Sequence, residues 1–138
     1  MKEIESLLET YKTAVFQKDV DAFVSIFDED VRIFDMWEWV YAGLAPWRKM
    51  AESWFGSLDT ERVVVSFEDV RIQTGDEMAV VSAFARFAAI SENGEELRYL
   101  QNRLTWVVQN KGGVWKIIHE HTSGPVDGTT MKVLLQRG

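Results

Sequence analysis

The sequence contains no cysteine. That excludes a disulfide framework and any zinc site built on thiolates. Only two histidines occur, so imidazole chemistry is confined to His119 and His121. The two prolines, Pro46 and Pro125, both fall at expected element boundaries. No apolar run is long enough to cross a bilayer. Met1-Lys2-Glu3-Ile4-Glu5 lacks a cationic stretch followed by an apolar one, so no secretory signal is expected. Positive charge is scarce: 15 Lys and Arg face 22 Asp and Glu, for a net charge of -7. Such a surface repels phosphate backbones, and nucleic acid is not expected as a partner. There is no nucleotide loop, nucleophile elbow or zinc-protease motif, and no cofactor is expected. These absences lead to the expectation of a single cytoplasmic domain over residues 1–138, free of membrane and nucleic acid.

What is present suits a packed core. Hydrophobic residues make up 46% of the chain, and a chain of this size needs no disulfide staple. Six tryptophans stand out. Each carries an N–H that wants a partner, so some should line a cavity, cover its mouth or enter a subunit interface.

Ile4, Leu7, Leu8, Tyr11, Ala14 and Val15 follow the spacing of one helix face, and this helix should end near Lys18. Asp19 can cap a short second helix carrying Val20, Phe23, Val24 and Phe27. Asp28-Glu29-Asp30 reads as a polar stop, followed by a strand over residues 31–37 that continues or turns through Trp39 and Tyr41. Pro46 suits the first position of a third helix with Trp47, Met50, Ala51, Trp54 and Leu58 on its apolar stripe. From residue 61 the period becomes two. Residues 62–73, 78–90, 97–109 and 114–123 read as four long strands, separated by Gly75-Asp76, Asn93-Gly94 and Gly112-Gly113. Short turns make such neighbours antiparallel. The pattern predicts an α+β fold, a curved antiparallel sheet covered by three helices from the N-terminal half. The tail over 126–138 should dock on the body or on a partner.

Two stretches carry a family likeness. One runs from Tyr11 through Lys18-Asp19-Val20-Asp21-Ala22-Phe23 and Phe27-Asp28-Glu29-Asp30-Val31 to Phe34-Asp35 and Trp37. The other is Trp115-Lys116-Ile117-Ile118-His119-Glu120-His121-Thr122-Ser123. Together they resemble the SnoaL-like branch of the nuclear transport factor 2-like superfamily, which includes ketosteroid isomerase and the association domain of calmodulin-dependent kinases. The resemblance implies a cone-shaped (cystatin-like) α+β barrel, a pocket between sheet and helices, and a homodimer joined through the outer sheet face. Aligned on the first stretch, the isomerase's oxyanion-binding Tyr falls on Tyr11 and its Asp base on Asp35. Its further acid falls within Gln101-Asn102-Arg103-Leu104, where no carboxylic acid stands.

Asp35 lies between Ile33-Phe34 and Met36-Trp37. It reads either as a general base raised in pKa by desolvation, or as a carboxylate that is exposed or paired with Arg103. His119 and His121 alternate, so strand geometry puts both on one face with Ile117 and Ser123. In the resemblance this face lines the pocket, with His121 as a second acid–base group. Zinc held by the two histidines and Asp35 is an alternative. Arg103 and Thr105 share a face; turned inward, Arg103 would anchor a ligand carboxylate. Leu104 and Trp106 would then form the outer, dimerising face. Trp37 and Trp54 are candidates for pocket walls.

Two functions follow. One is an enzyme doing isomerase-, cyclase- or dehydratase-type proton chemistry on an apolar substrate, with Asp35, Tyr11 and His121 as its machinery. The other is a non-catalytic ligand-binding or oligomerisation domain that holds a small hydrophobic molecule or an organic acid.

Overall fold

In a computed structural model describing residues 1–138, α1 (Lys2–Gln17) ends where Lys18 takes a left-handed conformation with φ of 57°. Its amide returns to the carbonyls of Ala14 and Val15, which closes the helix end. Asp19 then caps α2 (Val20–Ser25), its Oδ1 accepting the Ala22 N–H at 3.0 Å. The chain passes directly into β1 (Phe27–Phe34), four residues earlier than the sequence pattern suggested. Asp28 is no stop because its carboxylate takes Lys111 Nζ at 2.9 Å, and the Asp-rich segment can therefore stay extended.

After a turn over 35–40 comes the two-residue strand β2 (Tyr41–Ala42), antiparallel to β1. Helix α3 (Leu44–Ser57) starts two residues before Pro46. Proline is tolerated there because first-turn N–H groups have no helical acceptor. Three long strands follow, β3 (Arg62–Thr74), β4 (Met78–Ile90) and β5 (Glu96–Lys111), and then β6 (Val114–Ser123). Gly112 and Gly113 both have positive φ, as a tight β5–β6 hairpin requires. At Asn93-Gly94 only Gly94 does. The connection there is longer, and the Ser91 hydroxyl accepts the amides of Asn93 and Glu95.

The sheet order is β2-β1-β6-β5-β4-β3, antiparallel except for the parallel β1–β6 pair. Register shifts in β3–β4, β4–β5 and β5–β6 bend it. The helices lie across the concave face, where Ile4, Tyr11, Val15, Phe23 and Phe55 meet Val65, Trp106 and Ile117 in one buried cluster. On the same face β4 contributes mainly alanines: Ala79, Ala83, Ala85 and Ala89. Small side chains on a curved sheet leave part of the concave volume unfilled. No helix is long and apolar enough to cross a membrane.

Candidate functional site

That unfilled volume is a cavity of about 530 Å³ with mainly apolar walls. Helix α1 supplies Tyr11; α3 supplies Trp47, Met50 and Trp54; β4 supplies Phe87 and Ala89. The tail closes one side with Leu135, whose carbonyl takes the Gln101 amide at 2.6 Å. Against these walls stands a small polar group: Tyr11, Asp35, Asn102, Glu120 and Thr122.

Asp35 follows the last residue of β1 and is half-buried. Its Oδ2 accepts the Trp37 N–H at 3.1 Å, and its Oδ1 lies 3.5 Å from the Thr122 hydroxyl. That hydroxyl oxygen in turn accepts the Met36 N–H at 3.0 Å, which ties the strand end to β6. Burial raises the pKa of Asp35, and the nearby Glu38 adds to the effect; the Trp37 amide and the Thr122 hydroxyl oppose it. Tyr11 is buried, and its phenol is raised well above the ordinary value by burial first, then by Glu120 and Asp35. Its ring lies against Phe23 at 5.2 Å and Phe67 at 5.6 Å, so the side chain is held by packing.

Glu120 is only 2% exposed. Its Oε1 accepts the indole N–H of the fully buried Trp106 at 2.9 Å. Burial pushes its pKa up to about 7, Asp35 adds to the rise, and the Trp106 bond opposes it.

Of the residues singled out in the sequence, Tyr11, Asp35, Trp37 and Trp54 line the cavity. Trp37 stands at the mouth and is 65% exposed, while Trp39 is 91% exposed and points away. The expectation for the C-terminal half of the sheet is corrected. His119, His121 and Ser123 lie on the convex face, as do Arg103 and Thr105. Counting back from the Gly112-Gly113 turn, Lys111 opposes Val114 and Val108 opposes Ile117, a register that would set Trp106 against His119. A bulge at Ile118 inserts one residue, so Trp106 opposes Glu120 and Val107 opposes His119. One extra residue turns every later side chain to the other face.

The same geometry corrects the outer face. Leu104 and Trp106 are core residues against the helices and cannot form a subunit interface. Arg103 does not reach Asp35; its Nε donates to Ser123 Oγ at 3.2 Å. His119 Nδ1 is bonded to the Arg32 carbonyl at 2.7 Å, and Phe34 sits against both imidazoles at 5.2 and 5.5 Å. No three His, Asp or Glu side chains come together as a metal site, because Asp35 and the histidines are on opposite faces.

Sequence reasoning missed Glu120, Asn102 and Thr122. One signal could have found them: Leu104, Trp106 and Val108 are the bulkier alternate set of β5, and their cross-strand neighbours on β6 must share the buried face.

A curved six-stranded sheet with helices across its hollow and a pocket between them defines the cystatin-like α+β class, in its nuclear transport factor 2-like form. The SnoaL-like domain model matches residues 4–127, and the chain belongs to that family. Among solved structures it is similar to a nuclear transport factor 2-like protein of unknown function from Pseudomonas putida KT2440. The identity is 24%, the coverage 99% of this chain and 94% of the other, and the TM-score 0.85. A nuclear transport factor 2-like superfamily protein from Salmonella enterica serovar Typhimurium is 18% identical over 92% of both chains, with a TM-score of 0.72. An uncharacterized protein with a cystatin-like fold from Caulobacter vibrioides is 18% identical over 88% of this chain and 86% of that one, also at 0.72. At these identities the likeness is one of fold. No curated protein matches the sequence.

Proposed function

We propose that the cavity binds a small, largely apolar molecule and performs proton chemistry on it, with Asp35 as general base and Tyr11 as hydrogen-bond donor. The observation that carries this reading is the shared position of the two groups: a half-buried carboxylate and a buried phenol line one apolar cavity of about 530 Å³. For an enolisable ketone, the proton leaves the α-carbon for the Asp35 carboxylate. The electron pair moves to the carbonyl oxygen, and the Tyr11 O–H stabilises the enolate. The raised pKa of Asp35 brings its basicity closer to the working pH. His121 has no part in this scheme.

The test is turnover and binding across a panel of small ketones and lactones. Asp35→Asn keeps shape and binding but removes the base. Turnover should fall roughly a hundredfold or more, the usual worth of a positioned base. Binding without turnover in the parent protein would replace this reading with that of a non-catalytic binding domain.

The chain is further proposed to act in the cytoplasm as a homodimer through the convex face. That face presents Arg32, Phe34, Arg103, Thr105, His119 and His121, a mixed aromatic and polar set suited to a reversible interface. Sedimentation at micromolar concentration decides the oligomeric state, and a clean monomer would remove the dimer.

A further inference from the structure

Glu120 has no role in the chemistry assigned to Asp35 and Tyr11, yet it is the most deeply buried acid of the cavity. No cation compensates it. Arg98 is the one basic residue of the lining, and its guanidinium is held by Glu61 at 2.7 Å. Two carboxylates in an apolar hollow without a counter-ion oppose each other's ionisation, so one holds its proton to higher pH. The hydrogen bonds say which. Asp35 is the more exposed and faces two donors, the Trp37 amide and the Thr122 hydroxyl. Glu120 has one, the Trp106 indole, on Oε1. Fewer donors and deeper burial favour the neutral form at Glu120.

We propose that Glu120 serves as a neutral carboxylic-acid donor to a ligand oxygen, so that the cavity selects uncharged ligands with a carbonyl or hydroxyl group and rejects carboxylates. This rests on the cavity being a ligand site, but not on Asp35 being a base. Oε1 is taken by Trp106, which leaves the second oxygen and its proton for the cavity. Two residues of the lining also carry a buried polar atom that the protein leaves unpaired, the donor Trp47 Nε1 and the acceptor Asn102 Oδ1. An entering carboxylate would meet the ionised Asp35 with no free cation to offset the repulsion.

The groups that bear on the titration of Glu120 are Tyr11 from α1 and Asp35 at the end of β1. Trp106 from β5 is not titratable, and His119 and His121 on its own strand face away. Its pKa of about 7 therefore sets where the donor is lost.

The experiment uses two probes of one shape, 2-acetylnaphthalene and 2-naphthoate, titrated against the fluorescence of the cavity tryptophans from about pH 6 to about pH 9. The ketone should bind at least about tenfold more tightly than the carboxylate, and its affinity should fall about tenfold as pH rises through 7. Glu120→Gln keeps an N–H donor but cannot ionise, so ketone binding should persist with a flat pH profile. Glu120→Met removes the donor and should weaken the ketone about tenfold at low pH. The carboxylic-acid C=O stretch in the infrared needs no ligand; it should be present at about pH 6, fade through 7, and be absent in Glu120→Gln. Naphthoate binding as tightly as the ketone, or an infrared band unchanged by Glu120→Gln, would overturn the proposal. Absence of turnover in the parent protein, with the binding pattern intact, would count against Asp35 as base and leave Glu120 as donor.

Discussion

On the concave side of β5 and β6 lie Asn102, Leu104, Trp106, Glu120 and Thr122, all buried. One residue away in each case, on the convex side, lie Arg103, Thr105, Val107, His119 and His121. The convex residues keep much of their hydration, so their polar groups cost the fold little. The concave ones have given it up, and each must be satisfied, neutralised or left to a ligand. The difference explains why the cavity carries perturbed acids: burial is the largest cause of the rise at Glu120, Asp35 and Tyr11 alike.

The comparison breaks most visibly at neighbouring positions on β5. Trp106 is fully buried against Tyr11 and Phe67, with ring centroids 5.9 Å away in both pairs. Trp106→Ala should cost about 3–5 kcal/mol in denaturant unfolding, while Thr105→Ala should stay within about 0.5 kcal/mol. Equal losses would mean that the two faces are misassigned.

A smaller effect is a slope of stability with pH. Glu120 titrates at about 7 in the folded chain against an ordinary 4.5. Between these values the folded state holds a proton that the unfolded state has lost. Stability therefore falls as pH rises from about 4.5 to about 7, by about 3 kcal/mol in all, and this contribution is level on either side. Asp35, also raised, acts in the same direction. Chemical denaturation of Glu120→Gln across that window should show most of the slope gone; an unchanged slope would place the titration elsewhere.

Much of the fold was legible because its signals are local. The heptad-like spacing from Ile4 to Val15, the Asp19 cap and the paired glycines at 112–113 each dictate their element without help from the rest of the chain. Tyr11 and Asp35 were legible through the family resemblance, which aligns both without a gap even though β1 shifts register against β6 between Phe27 and Arg32. The second half of the site was not. Alternation along β6 holds only until Ile118, and a bulge leaves no mark in a run of Ile-Ile-His-Glu-His. On β5 the bulkier set of Leu104, Trp106 and Val108 was assigned to an outer, dimerising face, so its apolar character was credited to a subunit interface instead of the core. The wrong face was therefore read as the pocket wall, and Glu120, between the two histidines, was given no role.

The most direct test of the concave-face account compares three proteins on the ketone that the parent turns over fastest: the parent, Asp35→Asn, and the double variant His119→Ala with His121→Ala. Asp35→Asn should lose roughly a hundredfold or more in kcat, and the histidine double variant should keep the parent's rate within about a factor of two. A double variant as impaired as Asp35→Asn, with its thermal unfolding unchanged, would contradict the account and move the chemistry to the convex face.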